Sequence, residues 1–350
     1  MELIINSLDK EYKQNEKLRK NNEKIPFYIS ISTNNALVLK HIRIHTKGSA
    51  KKSFSTGLTR FFYYKPFIEK FLLDNNMPQE LVYLPLVESL YNTNAKSRAG
   101  AVGLWQLMRN TGKHYGIKVN YWIDERRDPL KSTIAALKYL KYLHELFDDW
   151  ELALAAYNRG HYGIKRDIRF SKATDYTTLQ KLRAIPSETE NFVPKFVAYK
   201  FMADNYKQYG FKPKILKTHY KYDNIALTRP LDLKIAAKCA ETSLKEIRLL
   251  NPQLQAWCTP PNHKNFLFKL PHGKKEIFKQ NLAKVKNHNP SRGYIKYKVR
   301  RGDCLGTISK KFNTTVKRIK IDNKIKNSNK IRTGKRLIIR PGRKYYAKKR

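Results

Sequence analysis

The chain has 350 residues, of which 41% are hydrophobic, and this is enough for two or three domains and excludes wholesale disorder. Lys and Arg number 72 against 28 Asp and Glu, giving a formal charge of +44. A field of this sign attracts polyanions, although a coding sequence biased toward A and T would produce a similar excess. Basic residues do not alternate with aromatic ones as in known nucleic-acid motifs, so nucleic acid is not an expected partner.

The cysteines and the N-terminus exclude further classes. Cys239, Cys258 and Cys304 form neither a CxxC pair nor a metal-ligand spacing, so no metal and no cofactor are expected. Three reduced, partly buried thiols are predicted, with one bridge between Cys239 and Cys258 as the alternative. The first 20 residues hold an apolar run too short for a signal peptide, and no run anywhere is long enough to span a membrane.

Helical patterns dominate from about residue 45 to 206, after an N-terminal extension over 1–44 whose first 25 residues we expect to be frayed or weakly helical. An amphipathic pattern runs from Lys47 to Asn76. An apolar, buried helix carrying ELVYLPLVES follows, and Pro85 should kink or restart it. A helix capped by Asp128, a short one closed by Gly160, and a last one over 187–206 complete a single α domain.

Beyond residue 212 the pattern changes to short β-like runs, at ILKTHYKY, NFLFKL, IKYKVR and RLIIR, with short helical patterns between them. The stretch at 233–251 lies over that at 305–323 at a constant offset of 72, with the same Leu, Lys, Thr, Lys, Ile and Asn positions. We therefore predict two βααβ modules, at 212–283 and 294–341. A polar linker over 284–293 separates them, and a basic tail over 342–350 follows.

One acidic residue, Glu88, lies in the apolar segment 81–91. Burial would raise its pKa and make it a proton donor, whereas the alternative is a structural acid paired with Lys or Arg. A second carboxylate could come only from farther along, at Glu188 or Glu190. The aromatic residues that we expect around it, as in a sugar-binding cleft, are Tyr91, Trp105, Tyr115, Tyr121, Trp122, Tyr157 and Tyr162.

Four motifs in this region resemble those of the lytic murein transglycosylases: ES at 88–89, SRAGAVGLWQ at 97–106, AYN at 156–158 and SETENFVP at 187–194. The order and spacing are most similar to the membrane-bound D type, which joins the catalytic domain to C-terminal LysM modules. Residues 297–340, with an RRGD turn and a GKRLIIR end, resemble LysM. The first module resembles a degenerate LysM, because Arg229 and Pro230 replace the GD turn.

The resemblance implies a multidomain, mainly α protein, with a lysozyme-like catalytic domain over 45–206 followed by the two modules. It implies that Glu88 is the sole general acid and base in cleaving the bond between N-acetylmuramic acid and N-acetylglucosamine, leaving 1,6-anhydromuramoyl ends. The implied substrate-binding residues are Ser97, Gln106, Tyr157, Asn158 and Glu188, with Glu190 as a substitute for Glu188. The implied glycan-binding residues of the second module are Gly302, Asp303, Thr307 and Ile331.

The implied partners are peptidoglycan glycan strands and, through the positive charge, anionic envelope polymers or lipid head groups. We expect a monomer in the cell envelope, periplasmic or membrane-associated, although the sequence shows neither a signal peptide nor a lipobox. The alternatives are an inactive or weakly active peptidoglycan-binding envelope protein, a hydrolytic muramidase and a basic nucleic-acid-binding protein.

Overall fold

The computed structural model describes residues 27–120, 122–216, 218–260, 265–285, 295–325, 327 and 331–341. The predictions for residues 1–25, Tyr121, most of the 284–293 linker and the 342–350 tail lie outside these ranges. Two compact units result. The first comprises Glu125–Lys221 and the described residues up to Lys118, and the second comprises Val119–Asp124 and the described residues from Tyr222 onward.

The regular elements among the described residues of the first unit are all helices, which confirms the mainly α prediction. Its helices are α1 Ala36–His45, α2 Gly48–Asp74, α3 Leu84–Ser89, α4 Arg109–His114, α5 Pro129–Phe147, α6 Trp150–Arg159, α7 His161–Ser171, α8 Tyr176–Lys181, α9 Ser187–Glu190 and α10 Phe192–Asp204, with 3-10 helices at Gln79–Tyr83 and Glu125–Arg127.

Local sequence explains most helix ends. The Asp128 carboxylate caps α5 by accepting from the amides of Leu130 and Lys131. Gly160 ends α6 with a positive φ of 84°. Pro85 lies in the first turn of α3, where the chain restarts after a 3-10 helix as predicted.

The single last helix predicted over 187–206 is wrong, because the chain breaks at Asn191 into α9 and α10. Pro194 gives the physical reason. It has no amide proton and would remove a hydrogen bond from the interior of one long helix. The break places Pro194 in the first turn of α10, where no such bond is required.

The second unit contains both predicted βααβ modules. Strand β1 (Tyr222–Leu227) pairs antiparallel with β2 (Phe266–Pro271) around α11 (Leu233–Cys239) and α12 (Leu244–Leu250), and α13 (Lys275–Ala283) follows. Strand β3 (Ile295–Lys298) pairs antiparallel with β4 (Arg336–Ile339) around α14 (Leu305–Lys311) and α15 (Val316–Asn323).

The β-like run ILKTHYKY is not a strand before Tyr222, which corrects that prediction. Its apolar position Tyr220 is buried, and its amide donates to the carbonyl of Tyr63 on α2. The Tyr220 ring packs on Tyr64 and Phe67. Tyr220 in this run therefore packs on a helix instead of on a neighbouring strand.

The repeated asparagine has the same role in both modules. The Asn251 amide donates to the carbonyls of Ile247 and Lys269 and accepts from the Lys269 amide, joining α12 to β2. Seventy-two positions later, Asn323 joins α15 to β4 through the backbone of Ile319 and Ile338. The repeat thus preserves a buried polar staple and not only a hydrophobic pattern.

The three cysteines are free thiols, as predicted. Cys239 and Cys258 are buried, whereas Cys304 is exposed, so partial burial was wrong for Cys304. Within the described ranges, no helix combines the length and the apolarity needed to cross a membrane.

Candidate active site

Glu88 lies at the C-terminal end of α3, directly after the buried residues Leu86 and Val87. The helix ends at Leu90, whose φ of 52° turns the chain away. The side chain of Glu88 is half-buried. No hydrogen bond or ion pair joins its carboxylate to another described residue, so the carboxyl is available to a ligand.

Burial raises the pKa of Glu88 from its ordinary value of 4.5 to about 8. The positive charge of Lys195 opposes this shift, and the negative charge of Glu188 adds to it. A carboxyl with this pKa is protonated at neutral pH and can donate its proton. Of the two interpretations left open by the sequence, the geometry favours the proton donor over the structural ion pair.

The loop that contains Ser97 and Gln106 is held rigidly. Ser97 is exposed, and its hydroxyl accepts from the Ala101 amide and closes a turn. The Gln106 side-chain amide donates to the Gly103 carbonyl at 2.8 Å. A side chain at Gly103 would lie 1.9 Å from the Arg126 carbonyl, so only glycine fits there. The buried Arg126 guanidinium donates to the carbonyls of Gly100 and Leu107.

Hydrogen bonds connect the first three motifs in sequence. The Ser89 hydroxyl donates to the Leu104 carbonyl at 2.7 Å, which links the first motif to the second. The Tyr157 hydroxyl donates to the Trp105 carbonyl at 2.7 Å, which links the third motif to the second. Burial, then the nearby charge of Glu88, raises the pKa of Tyr157, so its phenol remains a donor.

The fourth motif closes the set. Asn158 donates to Glu188 at 3.3 Å and accepts from the Thr189 hydroxyl at 2.9 Å. Lys195 directly follows the fourth motif in sequence. Its ammonium donates to the carbonyl of Val87 at 3.0 Å, and Val87 is the residue before Glu88. The four motifs, together with the flanking residues Val87 and Lys195, therefore form a closed ring of hydrogen bonds that includes the end of the helix carrying Glu88.

The two acids of the fourth motif differ in placement. Glu188 is exposed, and its charge acts on both Glu88 and Lys195. The backbone carbonyl of Glu190 instead accepts from Tyr176 and Gln180. Of the two residues that the sequence offered, Glu188 is the one whose charge acts on the pKa of Glu88.

The predicted aromatic group is only partly assembled. Tyr115, Tyr139 and Tyr157 form a row with ring centroids 5.7 and 5.4 Å apart. Trp105 and Tyr91 are core residues. The Trp105 indole donates a hydrogen bond to the Thr133 hydroxyl, and the Tyr91 hydroxyl donates one to the Val82 carbonyl.

Two further members of the predicted group lie elsewhere. Trp122 belongs to the second unit, where it packs at 5.5 Å on Trp257, and so it is wrongly included in the cleft. Tyr162 is exposed and contacts His161. Tyr121 lies outside the described residues.

The residues predicted in the second module build its first turn. Gly302 adopts a φ of 86°. The Asp303 carboxylate accepts from the Tyr297 hydroxyl and the Arg300 amide, both at 2.7 Å, and these bonds lower its pKa. Thr307 forms a capping box with Cys304, and Ile331 packs partly buried on the module core. A ligand role for these four residues stays a prediction.

Three residues that complete the site were not predicted, although one of them, Thr189, lies inside the fourth motif. Lys195 is one of 72 basic residues, and only its position after the fourth motif could have drawn notice. Arg126 and Thr189 are buried polar residues that hold the loop and Asn158, respectively. Each acts through contacts that are distant in sequence.

Family comparisons agree with this geometry. The model described as Transglycosylase SLT domain matches residues 65–180. The model described as Lytic transglycosylase MltD, LysM-like domain matches 221–287, and the LysM domain model matches 297–340. The chain thus has an SLT domain followed by two LysM-type domains, and the resemblance to the lytic murein transglycosylases is confirmed.

Among individual proteins, the chain is 31% identical over 278 residues to membrane-bound lytic murein transglycosylase D of Escherichia coli K12, covering 76% of this chain. The chain spans 61% of the length of that relative. A 94-residue stretch is 44% identical to a protein of Alteromonas sp. named for tributyltin chloride resistance, covering 27% of this chain and 45% of that one. The crystal structure of the 70-kDa soluble lytic transglycosylase of Escherichia coli is 17% identical, with a TM-score of 0.38, over 60% of this chain and 43% of that one.

Proposed function

We propose that the chain is a peptidoglycan lytic transglycosylase that cleaves the β-1,4 bond between N-acetylmuramic acid and N-acetylglucosamine. The observation that carries the proposal is the environment of Glu88. Glu88 is a half-buried acid with a raised pKa, and the hydrogen bonds between the motifs hold the chain around it. The SLT domain match includes the first three of the four motifs. The similarity to the murein transglycosylase supports the substrate class.

In the proposed reaction, Glu88 first donates its proton to the glycosidic oxygen as the bond to C1 of the muramoyl sugar breaks. The acetamido group of the same sugar stabilises the positive C1. The C6 hydroxyl then attacks C1, and its proton returns to the Glu88 carboxylate. The product carries a 1,6-anhydromuramoyl end, no water is consumed, and attack within one molecule has a large effective-concentration advantage.

Other residues of the ring would hold the substrate. Ser97 and Gln106 lie on the rigid second-motif loop, Tyr157 and Asn158 lie at the end of α6, and Glu188 lies on α9. Tyr115 and Tyr157 are aromatic residues of the kind that pack on sugars, and the buried Tyr139 lies between them.

Mass spectrometry of murein digested by the wild type and by Glu88→Gln tests the proposal. We expect anhydro ends from the wild type and a loss of roughly 10²–10⁴-fold in the variant, the range for removing a general acid. Glu276→Gln, an exposed glutamate of the second unit beside Lys279, is the matched control and should keep full activity. Anhydro ends at the wild-type rate from Glu88→Gln would refute the proposal.

A hydrolytic muramidase is the second candidate, because Glu188 brings a second carboxylate whose charge acts on Glu88. Such an enzyme uses the second acid to activate water or as a nucleophile. It would release ordinary reducing ends in place of anhydro ends, and Glu188→Gln would abolish it. In the transglycosylase, Glu188→Gln should leave the product unchanged.

The modules and the charge would serve the same substrate. We propose that the second LysM module binds glycan strands and raises the local substrate concentration. The first module lacks the GD turn and would act as scaffold. The positive charge would hold the enzyme on anionic polymers or lipid head groups of the cell envelope. Sacculus binding should then weaken with added salt, and binding that is indifferent to salt would exclude this role.

A further inference from the structure

Lys195 lies on α10 within hydrogen-bonding distance of the backbone that carries Glu88. Its ammonium donates to the carbonyl of Val87 at 3.0 Å, and Val87 directly precedes the acid. It also lies 5.2 Å from the centroid of the Tyr199 ring, one turn along the same helix. The ammonium of this lysine therefore has two partners within the protein, which is unusual for a residue type that is mostly exposed to solvent.

Tyr199 is held in turn by the N-terminal helix. Its hydroxyl is 2.8 Å from Nε2 of His45, and Nδ1 of His45 is 2.8 Å from the His41 carbonyl. Helix α1 packs against α10 and presents both histidines toward Lys195. Helix α1 crosses the boundary predicted at residue 44, so part of the predicted N-terminal extension packs on the helix that carries the lysine.

Titratable groups face Lys195 from several elements. They are Glu88 on α3, Glu188 on α9, His41 and His45 on α1, and Tyr199 on its own helix. Two other elements pack on α10, namely α6 and the 3-10 helix at Gln79–Tyr83. Helix α6 carries Tyr157, whose pKa is affected by the charge of Glu88. The 3-10 helix carries Tyr83, whose hydroxyl donates to Asp204.

The histidines in this group are neutral at neutral pH. Burial, then the charge of Lys195, lowers the pKa of His41 to about 4, and burial also lowers the pKa of His45. Lys195 is therefore the positive charge that acts on the acid. Burial lowers the pKa of Lys195, and the negative charges of Glu88 and Glu188 oppose that shift by raising it.

We propose that Lys195 is a positioning residue for Glu88: its ammonium fixes the carbonyl next to the acid and stabilises the carboxylate that remains after proton donation. This inference rests on the proposed role of Glu88 as the proton donor. Glu88 is ionised only after it has donated its proton and before the C6 hydroxyl returns one. The positive charge of the Lys195 ammonium stabilises Glu88 in that state.

The pH dependence of kcat/KM in Lys195→Met and Lys195→Arg tests the inference. Loss of the cation makes the Glu88 carboxylate less stable, so the alkaline limb of Lys195→Met should move to higher pH by about 1 unit. Its kcat should fall about three- to tenfold, because a carboxyl with a higher pKa is the weaker donor, while KM stays unchanged. Lys195→Arg keeps the charge and should keep the wild-type limb.

A second measurement does not depend on how Lys195 variants fold. Electrostatic coupling is reciprocal, so removing the Glu88 charge should lower the titration midpoint of the Lys195 ammonium. Nitrogen-15 NMR of lysine-labelled wild type and Glu88→Gln, with Glu276→Gln as the control, measures that midpoint. An unmoved midpoint in Glu88→Gln, or an unmoved alkaline limb in a folded Lys195→Met, overturns the inference.

The two proposals fail differently. If Glu88→Gln still forms anhydro ends at the wild-type rate, the proposed function falls regardless of Lys195. If Glu88→Gln is inactive but neither the alkaline limb nor the Lys195 midpoint moves, only the positioning role falls.

Discussion

Glu88 in the helical unit and Asp303 in the second βααβ module are both carboxylates that family motifs single out, and their surroundings are opposite. Glu88 accepts no hydrogen bond from another described residue, and burial raises its pKa. Asp303 accepts from a backbone amide and from Tyr297, and these bonds lower its pKa. One is prepared to give up a proton, and the other stabilises a turn as an anion. The environment of a carboxyl, and not its membership of a motif, therefore decides whether it donates a proton or stays ionised.

The largest expected effect separates the two acids by activity. On short soluble glycan fragments, Glu88→Gln should lose roughly 10²–10⁴-fold in kcat/KM, while Asp303→Asn should stay close to the wild type. Asp303 lies in a separate module and contributes no group to the proposed reaction. Rates from chromatography of anhydro products measure both. A comparable loss in a folded Asp303→Asn would break the comparison.

The two modules can be compared in the same way through their staples. Asn251→Ala removes three side-chain hydrogen bonds to the backbone of Ile247 and Lys269 and should destabilise the first module by about 2–3 kcal/mol. Asn323 is less buried than Asn251, so Asn323→Ala should lose about 1–2 kcal/mol. Hydrogen exchange at the Lys269 amide measures the stability of the first module, and exchange at the Ile338 amide measures that of the second. Equal losses of stability in the two variants would show that the burial of the asparagine does not determine its contribution.

The smallest expected effects are the pH signatures of stability. Glu88 has a higher pKa folded than unfolded, so its contribution is complete below about 4.5 and is lost as pH rises through about 8. The stability of Glu88→Gln relative to the wild type should therefore increase from pH 4.5 to 8. Denaturant unfolding at several pH values measures this, and a difference that is constant with pH would contradict it.

Asp303 should show the reverse dependence, because its folded pKa is lowered. Its contribution is present above about 3.8 and is lost as pH falls through the lower folded value. Asp303→Asn should lose about 1 kcal/mol at neutral pH and approach the wild type in acid. A deficit that persists in acid would instead indicate a packing defect.

Much of the architecture was readable in advance because its signals are local. The cap at Asp128, the stop at Gly160 and the restart at Pro85 each depend on a few neighbouring residues. The asparagine repeat was visible at its constant offset. The prediction of a strand over the run that contains Tyr220 was wrong, because a β-like pattern does not reveal whether the partner surface is a strand or a helix. Trp122 was misplaced, because composition does not reveal to which unit a loop belongs.

Local signals in the chain specify the helical unit, the two modules and the lone acid at position 88, since periodicity, caps and motif spacing depend on residues close in sequence. Tertiary packing sets the ring that joins the four motifs, the action of the Glu188 charge on the acid, and the hydrogen bond of Lys195 to the carbonyl next to it. These features depend on contacts between residues 15 to 108 positions apart, and burial raises the pKa of Glu88 only after those segments have packed.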